Sequence, residues 1–238
     1  MNIIMIVLGS IVGLLLIAFA ARMLSERGKM TPLETREVVN GIFAIQDQFV
    51  NLYLIRGKNG YIAIDAGMKA ENVRRELENL HIEPEKVLAV LLTHTDKDHV
   101  GALSLFKNAR VFLAREEEQM INGKTPRFLI LKNSLHVPYT LIGDEHTSYI
   151  LGLKIKAILT PGHTPGSMCY LINDLHLFAG DTMSLKAGKA DLFNNLFNMD
   201  SHRQRHALKS LKDIPDVKYI FSSHYGFTDN FEKALEAW

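Results

Sequence analysis

The chain has 238 residues, room for one membrane-crossing segment and one domain of about 200 residues. Its 27 basic and 26 acidic residues leave a net charge of +1, which gives no reason to expect a nucleic-acid partner. A single cysteine, Cys169, excludes an intramolecular disulfide and a cysteine-built zinc site, so any metal must be held by histidine and carboxylate.

In chain order, residues 1–21 come first, with no charged side chain. Ile3 through Ala20 is almost wholly apolar and as a helix spans about 30 Å, the thickness of a bilayer core. Arg22, Arg27 and Lys29 follow, and the positive-inside rule puts the rest of the chain in the cytoplasm. The alternative is a secretory signal ending near Ala18-Phe19-Ala20, although no Lys or Arg precedes the apolar run. Residues 22–37 read as a polar linker and residues 38–238 as one domain.

The domain opens with extended stretches at Val38–Gln46 and Phe49–Arg56. The turn Lys58-Asn59-Gly60 then leads into Tyr61–Asp65, which makes a β-meander. Glu71–Leu80 has helical spacing, with Val73, Leu77 and Leu80 on one face. Val87–Leu92 reads as a buried strand, Val100–Phe106 as a helix and Arg110–Ala114 as a returning strand, a βαβ unit of an α/β fold. Residues 115–148 have no clean period and are expected to hold a helix and a variable loop over the site. Strands follow at Tyr149–Leu151, Lys154–Leu159, Met168–Ile172 and His176–Ala179. Asp200 or Ser201 caps a helix through Lys212, Lys218–Phe221 is a strand, and Phe231–Trp238 closes the chain as a helix.

The chemistry is concentrated where strands end. Thr93-His94-Thr95-Asp96-Lys97-Asp98-His99 directly follows the Val87–Leu92 run and brings four potential metal ligands within six positions. Histidine and aspartate beside a core are destabilising unless a metal or a hydrogen-bond network satisfies them. Three later signals, Gly162-His163, Gly180-Asp181 and His224 in Ser222-Ser223-His224-Tyr225-Gly226, also follow apolar runs. Together they point to a metal site assembled at several strand ends.

This constellation resembles the metallo-β-lactamase-fold superfamily of metal-dependent hydrolases, nearest its glyoxalase II-like branch. The likeness covers residues 38–238 and is carried by Ile64-Asp65-Ala66-Gly67, the His94-x-Asp96-x-Asp98-His99 motif, His163, Asp181 and His224. It implies a four-layer αββα sandwich and two divalent metal ions, zinc above all, with iron or manganese as alternatives. By the same resemblance His94, Asp96 and His163 hold the first metal, Asp98, His99 and His224 the second, and Asp181 bridges them. The implied reaction is attack by metal-bound hydroxide on an ester, thioester, lactone or related acyl substrate, with Asp98 also moving a proton. Asp65 is expected to fix loop geometry beneath the ligands.

One position departs from the pattern: Asp96 stands where the family carries a second histidine. Aspartate reaches about 2 Å less far than an imidazole Nε2 and adds a negative charge, which favours a harder metal such as iron or manganese. Flavodiiron proteins carry a carboxylate there, although theirs is glutamate, so an iron-dependent oxygen or sulfur redox enzyme is one alternative. A non-catalytic membrane-anchored metal-binding sensor is another. His81, His136, His146, His176, His202 and His206 read as surface or edge residues, and Cys169 as a small buried hydrophobe. Lys186, Lys189 and Tyr225 are weaker candidates for contact with substrate.

Overall fold

The structure, a computed structural model, describes residues 3–127 and 131–238. It divides into two compact units, Met1–Met30 and Thr31–Trp238. The first unit is the helix α1 (Ile3–Arg27). Within it, Gly9–Arg27 has a mean hydropathy of 1.6, long and apolar enough to cross a membrane. A signal sequence near an N-terminus has the same properties. The helix continues past the expected boundary at residue 21, because Met23 to Arg27 are helix-compatible residues and the chain breaks only at Gly28.

The second unit begins with β1 (Arg36–Val39), which straddles the expected linker boundary at residue 37, followed by β2 (Ile42–Asp47), β3 (Val50–Gly57) and β4 (Gly60–Ile64). Helix α2 (Ala70–Asn79) then leads to β5 (Val87–Leu91), the single-turn α3 (Lys97–Val100), β6 (Arg110–Ala114), the short α4 (Glu118–Ile121) and β7 (Tyr139–Ile142). These strands form one seven-stranded sheet in sequence order. It is antiparallel from β1 to β4 and parallel from β4 to β7.

The second half contributes β8 (Thr147–Ile150), β9 (Leu153–Leu159), β10 (Met168–Ile172) and β11 (His176–Gly180), then the hairpin β12 (Met183–Lys186) and β13 (Lys189–Leu192). Helix α5 (Ser201–Leu211), β14 (Tyr219–Ser222), β15 (Gly226–Thr228) and α6 (Phe231–Leu235) complete it. The second sheet runs β15-β14-β11-β10-β9-β8, with β11 and β14 parallel.

Strand alternation explains the layering. On β2, Ile42 and Ala44 enter the core between the sheets, while Phe43 and Ile45 pack outward with Val73 and Leu77 of α2. On β10, Met168, Tyr170 and Ile172 face inward, while Cys169 and Leu171 pack with Leu208 and Leu211 of α5 and Phe231 of α6. Helix, sheet, sheet and helix therefore stack in that order. Cys169 is fully buried, and burial pushes its thiol up to about 11 despite hydrogen bonds with Thr160 and Thr182, as befits an inert core residue.

Two expectations are corrected. The α-helix expected over Val100–Phe106 ends at Val100, the last residue of α3. Gly101 packs so closely against the Met68 carbonyl that no Cβ fits, and the chain turns tightly at Leu103–Leu105 to sink Leu103, Leu105 and Phe106 into the core. The β12–β13 hairpin was not anticipated. Its turn holds Ala187 at φ 50° beside Gly188 at φ 75°, and alanine in that region is a poor turn signal.

The stack of Phe178 on Phe221, with ring centroids 4.6 Å apart and Tyr53 edge-on at 5.3 Å from Phe221, is the aromatic centre between the sheets. Phe178→Ala is expected to cost about 3–5 kcal/mol of stability. Urea denaturation of the variant against the parent checks it, and a loss below about 1 kcal/mol would contradict this packing.

Candidate metal centre

Seven histidine and aspartate side chains converge at the carboxyl ends of strands from both sheets. His94, Asp96, Asp98 and His99 lie on the segment after β5 and in α3, His163 on the loop after β9, Asp181 directly after β11 and His224 two residues after β14. Strand ends are where α/β sheets leave room for ligands, because the chain must depart there in loops. Ligand atoms fall within 4.8 Å of one another in three sets: His94, His99 and Asp181; His94, Asp96 and His163; and Asp98, His99 and His224. Asp181 sits centrally, its carboxylate 3.9 Å from His94 Nε2, 3.7 Å from His99 Nε2, 3.4 Å from His163 Nε2 and 3.3 Å from His224 Nε2.

Each imidazole is aimed by what its other nitrogen meets. His99 Nδ1 donates to Asp65 Oδ2 at 2.8 Å and His224 Nδ1 donates to the Phe49 carbonyl at 2.7 Å. Thr93 Oγ1 gives its proton to Asp65 at 2.8 Å, so it can only accept from His94 Nδ1, 3.0 Å away. His163 Nδ1 donates to Asn198 Oδ1 at 3.3 Å. With all four Nδ1 atoms acting as donors, the Nε2 atoms point into the shared space, where each ring in its neutral form presents the lone pair a metal requires. Asp65 accepts from both Thr93 and His99 and so holds them together, from a left-handed backbone at φ 62° that aspartate tolerates.

The electrostatics are those of carboxylates drawing in cations. Burial opposes the charge on Asp181, yet His224, His99 and His163 outweigh it and hold its carboxyl well below the usual range. Burial likewise disfavours a proton on His99 and His224, but Asp65, Asp181 and Asp98 raise the first and Asp181 and Asp98 the second. His94, for which burial and the neighbouring His99 and His163 act in the same direction, is held well below its ordinary value.

The donors fit a divalent ion. The Nε2 atoms of His94 and His99 and Oδ1 of Asp181 are buried with no hydrogen-bond partner among the described residues, an arrangement that is unfavourable without a cation. Asp98, His99, His224 and Asp181 together offer two neutral imidazoles and two carboxylates, a set suited to zinc. The other set differs. Asp96 lies 3.3 Å from His163 Nε2 and 3.7 Å from His94 Nε2, but both its oxygens are occupied by Arg127. Arg127 Nε lies 3.1 and 3.0 Å from them, Arg127 Nη2 donates at 2.8 Å, and Asn133 Nδ2 adds a bond of 3.0 Å. The extra negative charge that pointed toward iron is thus matched by a guanidinium.

Several contributors were not legible in the sequence. Glu117, fully buried, accepts from the Thr95 amide at 2.9 Å and hydroxyl at 2.7 Å, the Thr164 hydroxyl at 2.7 Å and the Gly166 amide at 3.1 Å. It ties the His94 loop to the His163 loop, and Gly166 packs so tightly on Glu117 that no Cβ fits. Burial raises the Glu117 carboxyl to about 7 against those bonds. Gln204 of α5 donates to the Asp181 carbonyl at 3.0 Å and accepts from Asn198 at 2.7 Å, joining two ligand loops. A lone glutamate outside any motif and a polar residue on an amphipathic helix carry no signal of this kind. Lys186 pairs with Asp191 across the exposed hairpin at 2.8 Å, Lys189 is exposed on the same hairpin, and Tyr225 packs on Phe193.

The family model described as the metallo-beta-lactamase superfamily matches residues 45–225. A curated relative, the probable polyketide biosynthesis zinc-dependent hydrolase BaeB of Bacillus velezensis, is 31% identical over 131 residues, 54% of this chain and 52% of that protein. The chain thus spans about half the length of that relative. Solved structures share the fold at low identity. One is MEM-A1, a subclass B3 metallo-beta-lactamase from a soil metagenome library (TM-score 0.66, 16% identity, 87% of this chain and 92% of that one). Another is a Cronobacter sakazakii metallo-beta-lactamase with a HARLDQ motif (0.65, 22%, 84% and 81%). A third is a B3 metallo-beta-lactamase with an active site glutamic acid (0.68, 17%, 91% and 91%).

Glu117→Gln replaces one acceptor oxygen by an amide that faces N–H and O–H donors. A loss of about 1–3 kcal/mol in folding stability is expected, the cost of buried groups left unsatisfied. A thermal melt unchanged from the parent would show that Glu117 does not join the two loops.

Proposed function

Because the chain belongs to the metallo-β-lactamase superfamily, we propose that it is a metal-dependent hydrolase acting on an ester, thioester, lactone or related acyl substrate. The observation that supports this most is the convergence of four Nδ1-anchored imidazoles on one buried aspartate, with two Nε2 atoms otherwise unsatisfied. We assign Asp98, His99, His224 and Asp181 as donors for zinc, in keeping with the donor set and with the BaeB relative, a probable zinc-dependent hydrolase. A divalent ion held there supplies Lewis acidity, lowering the pKa of water toward neutrality and polarising an acyl oxygen.

The chain's own groups do the rest. Asp181 places one carboxylate within reach of all four imidazoles, and Asp65, Thr93, Asn198 and the Phe49 carbonyl fix their orientation. Asp98 is 3.5 Å from His224 Nε2 and its side chain is 21% exposed, against 4% for Asp181. It is therefore the ligand carboxylate placed to exchange a proton with an incoming substrate. Phe193 lies edge-on to His163 at 5.0 Å and against His224 at 5.6 Å, closing that wall to water.

For the N-terminal helix we propose an uncleaved anchor with the catalytic unit in the cytoplasm, supported by the uncharged run followed by Arg22, Arg27 and Lys29. A C-terminal alkaline-phosphatase fusion is expected to be inactive and a fluorescent-protein fusion to fluoresce at the membrane. An active phosphatase or a processed N-terminus near residue 21 would favour export instead.

Asp181→Asn keeps the shape and removes the charge shared by the four histidines. Zinc retained after gel filtration is expected to be lost, and hydrolysis across a panel of thioesters and lactones to fall by at least about 100-fold. Retention of both would defeat the assignment.

A further inference from the structure

Arg127 occupies a position that the resemblance assigns to a cation of another kind. Its side chain is buried, and the guanidinium grips both oxygens of Asp96. The same Nη2 that donates to Asp96 at 2.8 Å also lies 3.1 Å from His163 Nε2, and Nη1 lies 3.4 Å from the His163 carbonyl. An imidazole nitrogen has one lone pair in the ring plane. With Nδ1 of His163 turned to Asn198, the Nε2 lone pair that a first metal needs is the one receiving the Arg127 N–H.

Charge leads to the same conclusion. Asp96 and Arg127 already sum to zero, so a divalent ion between His94, Asp96 and His163 would face a guanidinium a few ångströms away, with Asp181, shared with the other set, as its one uncommitted carboxylate. The set Asp98, His99 and His224 has no basic side chain among its hydrogen-bond or ion-pair partners within the described residues, and two carboxylates, Asp98 and Asp181, await a dication.

We infer that the Arg127 guanidinium takes the place of the first metal ion, so that this chain holds one metal tightly, at Asp98, His99, His224 and Asp181. The shorter reach of Asp96 is then a fit to arginine, whose planar fork matches a carboxylate and whose charge cannot be titrated away. Replacement of the family's histidine by aspartate and recruitment of Arg127 form one exchange: a ligand for a metal becomes a counter-ion for a fixed cation.

Resting on the metal-dependent reading, this inference is tested by metal content, independently of turnover. The full chain, purified in detergent, is loaded with excess zinc, passed through a chelating resin and assayed by elemental analysis. About one zinc per chain is expected to remain. Arg127→Met removes the guanidinium while keeping much of the stem, and is expected to raise retained zinc to about two per chain. His163→Ala is expected to keep the single zinc at the parent's affinity, whereas His224→Ala loses it. Thermal melts of each variant confirm that it is folded, and the parent and His163→Ala results stand even if Arg127→Met does not fold. Two tightly held zinc ions in the parent, an unchanged count in folded Arg127→Met, or loss of the zinc in folded His163→Ala would each overturn the inference while leaving a metal-dependent hydrolase intact. A parent that retains no zinc, iron or manganese would instead overturn the metal-dependent reading itself.

Discussion

The structure depends on burying one negative charge, that of Asp181, among four imidazoles at the meeting of two sheets. A carboxylate taken out of water is strongly destabilising unless cations and hydrogen-bond donors surround it. Here the surroundings of Asp181, which follows β11, come from the ends of β5, β9 and β14 at once, so the two halves of the sandwich must be in register before the charge is compensated. Function and tertiary structure are coupled at that point, because a misplaced strand end leaves a buried charge uncompensated as well as a ligand out of position.

Direction is supplied by groups that do not themselves reach the centre. The Phe49 carbonyl, Asp65, Thr93 and Asn198 each accept from one Nδ1, and the four acceptors come from four different stretches of chain. Glu117 and Gln204 act one step further out, on the backbone of the loops. An imidazole ring turned by 180° presents a hydrogen where a lone pair is needed, so under the proposed reading this outer ring of acceptors determines whether these imidazoles can serve as ligands.

The pairing of Asp96 with Arg127 shows how a fold can keep its charge balance while changing the identity of a cation. Aspartate is short and acidic, a poor replacement for imidazole as a ligand yet a good partner for guanidinium. Arg127 belongs to a stretch with no periodic pattern, which here delivers a charged side chain into a site built otherwise by strand ends. Asn133, farther along the same stretch, adds a second donor to Asp96 and ties that region to the site.

Much of this was legible in the residues themselves. The alternation in Val38–Arg56, the continuous apolar runs of Val87–Leu92 and Met168–Ile172 and the cap at Asp200 depend on nearest neighbours, and the strands and helix they imply are present within a few residues. The seven residues proposed as a site stood out because each follows an apolar run, and a strand end can only lead into a loop at the rim of the sheet, where the structure brings them together. The break at Gly101 and the roles of Arg127, Glu117 and Gln204 were decided by tertiary structure alone. Each depends on a partner 20 or more residues away: Arg127 is 31 residues from Asp96, Glu117 is 49 from Gly166 and Gln204 is 23 from Asp181. Local pattern determines which segments are strands and which side chains stand at their ends. Whether an aspartate there meets a metal or a guanidinium depends on which distant side chain the packed sheets bring against it.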